Sequence, residues 1–322
     1  MANIDYFLDK GDPWTVYRAL LDLAGLPEDD ARVRQARTQM LGHPLVAGLI
    51  DELRYWPGIV ISSHKSAGQL YHKLVFLADL GLTRQDNGLD EILTRVSGHL
   101  SAEGLCQLPM NIPEQFGGPG QDDWAWALCD APLLLYALMK MDPAGCPAEC
   151  VHGAAFLTGL ARANGWPCAV SRNLGKFRGP GRKDDPCPYA TLVMLKLLSL
   201  NPECRESRAA RDGVASLLDL WQNSRERHPY QFYMGTDFRK LKAPLIWYDI
   251  LHVADVLSLY PEAKADPRFA DLRAVILTKA GADGRYTPES VWTAWKDWEF
   301  GQKKVQSPWL TLLVDRIGRR CS

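Results

Sequence analysis

The chain has 322 residues, a formal net charge of −1 and an apolar fraction of 47%. This balance lacks the basic excess of nucleic-acid-binding proteins, and no run approaches the roughly 18 apolar residues of a membrane span. The first ten residues show no signal-peptide pattern. The eight cysteines are scattered without a CxxC pair, which is typical of reduced thiols in the cytoplasm. We therefore expect a cytoplasmic protein with no nucleic-acid partner and no membrane span.

In chain order, apolar helical runs recur at a fixed spacing. The first begins at Asp12-Pro13-Trp14, where a first-turn proline indicates a helix start. Four equivalent runs begin 59 residues apart, at Tyr71, Asp130, Tyr189 and Tyr248. One period later lies Ser307-Pro308-Trp309, which resembles the first start. The pattern predicts six near-equivalent apolar helices.

A more charged helical stretch follows each of the first five apolar runs. These stretches cover approximately residues 29–55, with a break near Gly42-His43-Pro44, and 89–99, 148–163, 207–222 and 267–279. Apolar helices alternating with charged ones predict helical-hairpin repeats with inner and outer helices. We expect an all-α (α/α)6 toroid of six such repeats, forming a single domain over residues 1–322. An open solenoid is the alternative, but a ring needs no capping repeats.

Long polar loops precede the inner helices, and loops of this length are usually functional. Because each loop precedes an inner helix, we expect them to gather at one end of the ring. Many carry cations, which favour a small anionic substrate. The predicted substrate-binding residues are Lys65, His72, Arg178, Arg182, Lys183, Arg239 and Lys240.

A carboxylate, a thiol and an imidazole form a candidate metal site. Asp185 and Cys187 precede one inner helix, and His252 lies about one turn into the next. Oxygen, sulfur and nitrogen ligands of this kind suit Zn²⁺ and leave a position for water or substrate. A helix cap, a core thiol and a core imidazole remain the alternatives.

Catalytic candidates occupy or adjoin the repeat position that begins the inner helices. Asp130, Tyr189 and Tyr248 hold this position in three repeats, and Asp249 is a candidate for orienting an imidazole. For Asp130 the alternative is a helix cap, and for the two tyrosines it is packing in the core. We expect these side chains to line the cavity of the ring.

The chain resembles the terpenoid-cyclase and protein-prenyltransferase superfamily of (α/α)6 toroids, and most closely the β subunits of protein farnesyltransferase and geranylgeranyltransferase. Asp185-Pro186-Cys187 and His252 match the zinc ligands of those enzymes, an Asp-x-Cys and a His in the next inner helix. Arg178, Arg182 and Lys183 are similar in kind to their diphosphate-binding residues. The resemblance implies a zinc cofactor and an anionic substrate in the central cavity. The squalene-cyclase repeat signature Gln-x-x-x-Gly-x-Trp is absent.

The sequence thus predicts a zinc-dependent enzyme in which the metal activates a thiolate or a water. Transferase-like, hydrolase or lyase chemistry would fit, and a homodimer is allowed. One alternative is a metal-free isoprenoid cyclase with Asp184 or Asp185 as general acid. Another is a non-catalytic toroid that binds a ligand.

Overall fold

The computed structural model describes residues 4–177, 179, 182–229 and 232–322. Within these residues the chain is all-α, as the sequence predicts. Its helices are α1 (Ile4–Lys10), α2 (Pro13–Asp22), α3 (Ala31–Leu41), α4 (Pro44–Leu53), α5 (Leu70–Leu80), α6 (Leu89–Val96), α7 (Ala131–Met141), α8 (Ala148–Gly159), α9 (Pro188–Leu198), α10 (Pro202–Arg205), α11 (Arg208–Asn223), α12 (Ile250–Leu257), α13 (Pro261–Lys264), α14 (Pro267–Leu277) and α15 (Pro308–Arg320).

Two short strands, β1 (Leu108–Met110) and β2 (Asp123–Ala125), form an antiparallel pair in the loop before α7. Leu108 pairs with Ala125 and Met110 with Asp123. None of the helices in the described ranges combines the length and the apolar character that a membrane crossing needs.

Each predicted inner helix has a counterpart, namely α2, α5, α7, α9, α12 and α15. The charged stretches also form helices, namely α3 with α4, then α6, α8, α11 and α14. The predicted break after Gly42 separates α3 from α4, because Pro44 begins a new helix. The helical repeat pattern is therefore confirmed at the level of the individual helices.

The chain divides into two compact units, Met1–Ile50 with Met234–Ser322, and Asp51–Tyr233. In the first unit α12 packs on α15, and α15 packs on α2. In the second unit α5 packs on α7, and α7 packs on α9. The second unit therefore contains three consecutive repeat helices packed in chain order, and the first unit contains the first, fifth and sixth, with the sixth packed on both the fifth and the first.

Helices α9 and α12 are buried along their whole length because they are apolar on nearly every face. All residues of α9 are buried, including Thr191 and Lys196. A helix that is apolar all round belongs in a core, and burying one large aliphatic side chain stabilises the fold by roughly 1.5–3 kcal/mol. The outer helix α11 packs against α9 and keeps a polar outer face.

A part-buried ion cluster joins the C-terminal ends of the three inner helices in the second unit. The Asp79 carboxylate of α5 lies 2.6 Å from Nζ of Lys196 on α9 and 3.1 Å from Nζ of Lys140 on α7. The Tyr136 hydroxyl donates a third contact to Asp79 at 2.6 Å. Cations at helix C-termini also complement the macrodipole, so the cluster favours parallel alignment of these helices.

The first unit has an equivalent cluster at the same helix ends. Asp255 of α12 lies 2.8 Å from Arg316 and 2.9 Å from Arg320, both on α15. Arg316 also lies 3.6 Å from Asp22 at the end of α2. In each unit, therefore, a charged group from every inner helix contributes to one cluster.

Candidate functional site

The opposite ends of the three inner helices meet in the second unit. Gln69, Asp130 and Cys187 are the N-cap residues of α5, α7 and α9. Burial raises the pKa of Tyr71 well above its usual value. The negative charges of Tyr189 and Asp130 raise this pKa further, because both groups lie close to Tyr71. The structure thus brings together three of the repeat-position residues, and three helix N-termini make the local potential favourable for anions.

A short contact joins Asp130 to His64 in this region. Nε2 of His64 lies 2.6 Å from Oδ2 of Asp130, across 66 positions of sequence. The Asp130 side chain is fully buried, whereas that of His64 is 16% exposed. Burial raises the pKa of the Asp130 carboxyl, and the hydrogen bond and charge of His64 partly offset that rise. A buried carboxylate therefore holds an imidazole that solvent can reach.

The main chain of His64 is also fixed. Its carbonyl oxygen accepts a hydrogen bond from the Tyr71 hydroxyl at 2.9 Å and contacts Nε2 of His72 at 3.0 Å. His72, a predicted substrate-binding residue, is buried and holds this loop in place. Within the described residues no hydrogen bond reaches Nδ1 of His64. While Nε2–H donates to Asp130, Nδ1 is the basic nitrogen.

Two thiols lie beside this pair. The Cys129 thiol is a hydrogen-bond partner of Cys187, and the pKa of Cys129 is raised by that contact and by burial. The same contact lowers the pKa of Cys187, against burial, and the backbone N–H groups of Ala190 and Tyr189 lower it further. Cys187 is therefore the more acidic thiol of the pair.

The predicted zinc ligands are distributed over both units. In the second unit, Oδ2 of Asp185 accepts a hydrogen bond from the backbone N–H of Arg182 at 2.7 Å. In the first unit, Nδ1 of His252 lies 2.9 Å from the Trp247 carbonyl oxygen, so a donating Nδ1–H leaves Nε2 as the basic nitrogen. Across the described ranges, no three His, Cys, Asp or Glu side chains are grouped to hold a metal. Zinc binding stays a prediction.

The other two catalytic candidates lie at the start of α12. Tyr248 is buried with its ring 5.3 Å from the ring of Phe238. Asp249 is the N-cap residue, and its Oδ1 accepts hydrogen bonds from the N–H groups of Leu251 and His252. Oδ2 of Asp249 is buried without a hydrogen-bond partner among the described residues. Within this unit Asp249 acts as a helix cap.

The environment of Asp249 opposes its ionisation. Burial raises the pKa of the carboxyl to about 7, although Lys242 and the capping N–H groups lower it in part. The folded pKa thus lies above the ordinary value of 3.8. Between pH 4 and about pH 7 the folded state keeps the Asp249 proton, whereas the unfolded state loses it. The contribution of Asp249 to folding stability is therefore complete below pH 4 and is lost as the pH rises to about 7.

We expect Asp249→Asn to remove this pH dependence. Three pKa units correspond to about 4 kcal/mol, and asparagine is as good an N-cap as aspartate. Urea unfolding of both proteins should show the variant gaining stability relative to the wild type between pH 4 and pH 7, by that order of magnitude. Parallel stability curves across this range would contradict the assignment.

The predicted cations of the second unit lie around a separate cavity or in solvent. Lys65 and Lys183 are exposed, and Arg178 lies outside the described residues. Arg182 and Asp185 line a cavity of about 540 Å³. Other polar residues around it are Asn164, Ser216, Asp219, Glu226, Arg227 and His228. The mixture of charges gives this cavity no clear preference for anions.

The predicted cations of the first unit have local partners. Nε of Arg239 donates to the Met234 carbonyl oxygen at 3.3 Å. Nζ of Lys240 lies 3.4 Å from the Asp237 carboxylate, near the surface. Both therefore make their contacts within the loop before α12.

Comparison with known proteins adds little to this geometry. No protein-family model matches the chain, and no curated protein matches it. Among solved structures, the chain is similar to a crystal structure of a protein from Actinoplanes, with 14% sequence identity and a TM-score of 0.43. That likeness covers 96% of this chain and 90% of the other. At this TM-score it carries no argument about fold or function.

The sequence did not single out His64 as a site residue. The sequence features that could have pointed to it are a histidine in a long loop before an inner helix and an acidic residue at the start of a neighbouring inner helix. Asp130 was singled out for its repeat position, but neither its spacing nor its neighbours name His64 as its partner.

Proposed function

We propose that the six repeat helices form the ring predicted from the sequence, an (α/α)6 toroid. The 59-residue spacing of the helix starts supports it, as does the packing of the last repeat helix, α15, on the first, α2. The matching ion clusters at the C-terminal ends of these helices are further support. In such a ring the helix N-termini would surround the substrate.

We infer that the protein is an enzyme that acts on a small anionic molecule by acid–base catalysis. The observation that carries this proposal is the 2.6 Å contact between His64 and the buried carboxylate of Asp130. Partial exposure of the imidazole supports a role in proton transfer, because a base must reach the group that it deprotonates. Lyase or hydrolase chemistry would suit this arrangement.

Each group has a distinct part in the proposed reaction. Nδ1 of His64 takes a proton from the substrate or from an attacking water. The imidazolium formed is stabilised by the Asp130 carboxylate, which remains ionised beside it. Tyr71 and His72 keep the loop of His64 in position through its carbonyl oxygen. This positioning matters because misplacing a catalytic base slows proton transfer.

Recognition of an anion is supported by the helix ends rather than by a single cation. Three inner helices, α5, α7 and α9, begin close to one another in the second unit, and each N-terminus carries about half a positive charge. Lys65 is exposed directly after His64 and adds a cation to the same loop. A carboxylate, sulfonate, phosphate or diphosphate group would be attracted to this region.

The proposal is tested by following the conversion of a defined pool of small anions. Carboxylates, sulfonates, phosphates and diphosphates are incubated with the protein, and their consumption is measured by mass spectrometry. The wild type should consume at least one compound, and His64→Gln should not. The matched control is His152→Gln, which replaces an exposed histidine of α8 and should behave as the wild type. Equal consumption by His64→Gln and the wild type would refute the proposal.

Zinc-dependent chemistry with Asp185, Cys187 and His252 is a second candidate. It is favoured by the contact between Nδ1 of His252 and the Trp247 carbonyl oxygen, since a carbonyl often orients a metal-binding histidine in this way. The lowered pKa of Cys187 would also favour metal binding, because the thiolate is the ligand. Bound zinc would supply a Lewis acid for activating a thiolate or a water.

If this candidate holds, purified protein should contain about one zinc per chain by elemental analysis, as a single site requires. Cys187→Ala and His252→Ala should each remove the metal, and Asp185→Asn should bind it more weakly. Cys204→Ala serves as the control and should retain the metal. If wild-type protein contains no zinc after expression in zinc-rich medium, the zinc site is excluded. The three residues would then serve as a helix cap, a core thiol and a core imidazole.

A further inference from the structure

Another cavity lies wholly within the first unit, and the proposed reaction does not use it. Its volume is about 1010 Å³, which is at the upper end of the roughly 300–1,000 Å³ typical of small-molecule sites. Residues of α1, α14 and α15, of the turn after α2 and of the loop after α14 line it. All of them belong to the one unit, so a single compact part of the chain forms the cavity.

Part of the lining of this cavity is apolar. Its large apolar side chains are those of Ile4, Phe7, Leu23, Leu277 and Val314. Phe7, Leu23 and Val314 are buried, whereas Leu277 is 52% exposed. The apolar lining therefore extends from buried residues to an exposed edge. Such a surface favours a ligand that has an apolar group to remove from water.

Two charged residues of the lining, Asp283 and Arg285, already have partners. The Asp283 carboxylate accepts hydrogen bonds from Nε2 of Gln306 at 2.8 and 3.0 Å. It also accepts one from Nη1 of Arg285 at 3.4 Å. The Arg285 guanidinium lies over the Tyr6 ring, 3.6 Å from the ring centroid. The charges of Asp283 and Arg285 therefore offset each other in the wall of the cavity.

The other two charged residues of the lining, Asp315 and Arg319, lie on α15 one helical turn apart. Among the residues that the structure describes, neither side chain has a hydrogen bond or an ion pair. Burial raises the pKa of the Asp315 carboxyl to about 6, which leaves it largely ionised at neutral pH. Arg319 is exposed, and its Nη2 lies 3.5 Å from the position that a β-carbon on Gly25 would take. The cavity thus presents one negative and one positive charge to a ligand.

We propose that this cavity binds a free α-amino acid with a large apolar side chain. Such a ligand carries an ammonium and a carboxylate on one carbon atom, which matches a carboxylate and a guanidinium one helical turn apart. Asp315 accepts hydrogen bonds from the ammonium, and Arg319 donates to the carboxylate, a pairing that guanidinium geometry favours. The ligand side chain packs against the apolar lining. The proposal is independent of the reaction at His64, which belongs to the other unit.

The test measures binding of L-phenylalanine to the full chain by isothermal titration calorimetry at pH 7, where saturable binding is expected. N-acetyl-L-phenylalanine lacks the ammonium, and L-phenylalaninamide lacks the carboxylate. Each should bind at least about tenfold more weakly, because each loses a charge-assisted hydrogen bond. L-Serine has no apolar side chain and should not bind measurably. No binding of L-phenylalanine by the wild type, or equal binding of L-phenylalanine and its acetylated form, would overturn the proposal.

Variants assign each charge to its partner on the ligand. Asp315→Asn should weaken binding of L-phenylalanine by about tenfold and leave the weak binding of N-acetyl-L-phenylalanine unchanged, because that ligand has no ammonium to lose. Arg319→Ala should behave in the same way towards L-phenylalaninamide. The controls Asp271→Asn and Arg225→Ala replace exposed residues outside the cavity and should bind as the wild type. Wild-type affinity in Asp315→Asn and Arg319→Ala would contradict the site, and the ligand series makes the same test without altering the protein.

Discussion

Replacing Asp130 by asparagine should reduce kcat by about 10³- to 10⁴-fold, the scale of losing a carboxylate that orients a catalytic histidine. The amide carries no charge to stabilise the imidazolium, and it can hold His64 in the wrong tautomer. The effect should fall mainly on kcat, because Asp130 is fully buried and does not contact the substrate. It is measured by steady-state kinetics on the anion that the conversion assay identifies.

A matched control lies in the loop before α7. Asp122 is exposed and accepts a hydrogen bond from Asn111 at 2.8 Å. Asp122→Asn should leave kcat within about twofold, because substitutions of exposed residues have small effects. An Asp130→Asn variant with the activity of this control would show that the carboxylate is structural.

Asp79→Asn should cause the largest loss of stability among the variants considered. Burial alone would raise the pKa of Asp79, but Lys196 and Lys140 outweigh it and hold that pKa well below the usual range. Removing the carboxylate leaves the Lys196 ammonium, whose side chain is 5% exposed, without a counter-charge. Breaking a buried ion pair in this way costs about 3–5 kcal/mol, a large share of the stability of a folded domain.

The pH dependence provides a second check on Asp79. Its folded pKa is depressed, so its stabilising contribution is present above the unfolded pKa of roughly 4 and is lost as the pH falls below it. Denaturant unfolding should therefore show a larger difference between variant and wild type at pH 7 than at pH 3. The control is Asp237→Asn, which removes a surface pair with a 73% exposed carboxylate and should change stability little. A similar small effect for Asp79→Asn would contradict the role of the cluster.

The helices could be predicted from the sequence because their signals are local. Apolar periodicity and first-turn prolines, as at Pro132 and Pro188, depend on a few neighbouring residues. The ion cluster of Asp79, Lys140 and Lys196 was not predicted, although its members lie near the ends of consecutive inner helices. Taken singly in the sequence, each of these charged residues looks like an ordinary polar residue within an apolar run, so nothing indicates its partners.

The site depends on loops whose paths are set by long-range contacts. His64 reaches Asp130 across 66 positions, and no periodic pattern relates a loop residue to a helix start that lies beyond two helices and two strands. Asp185 illustrates the converse, since its spacing from Cys187 suggests a ligand pair while its carboxylate accepts the Arg182 N–H. A short polar side chain beside a turn commonly makes such a local hydrogen bond. Spacing alone does not distinguish the two roles.

In the proposed reaction, Asp130 holds His64 with Nε2 protonated and Nδ1 available as a base. Nitrogen NMR of histidine-labelled protein measures this directly, with the His64 signal assigned by its loss in His64→Gln among the seven histidines. At neutral pH we expect His64 as the Nε2–H tautomer, with its proton shifted downfield by the carboxylate, and loss of that shift in Asp130→Asn. An Nδ1–H tautomer in the wild type, or a His64 spectrum that Asp130→Asn leaves unchanged, would contradict the account.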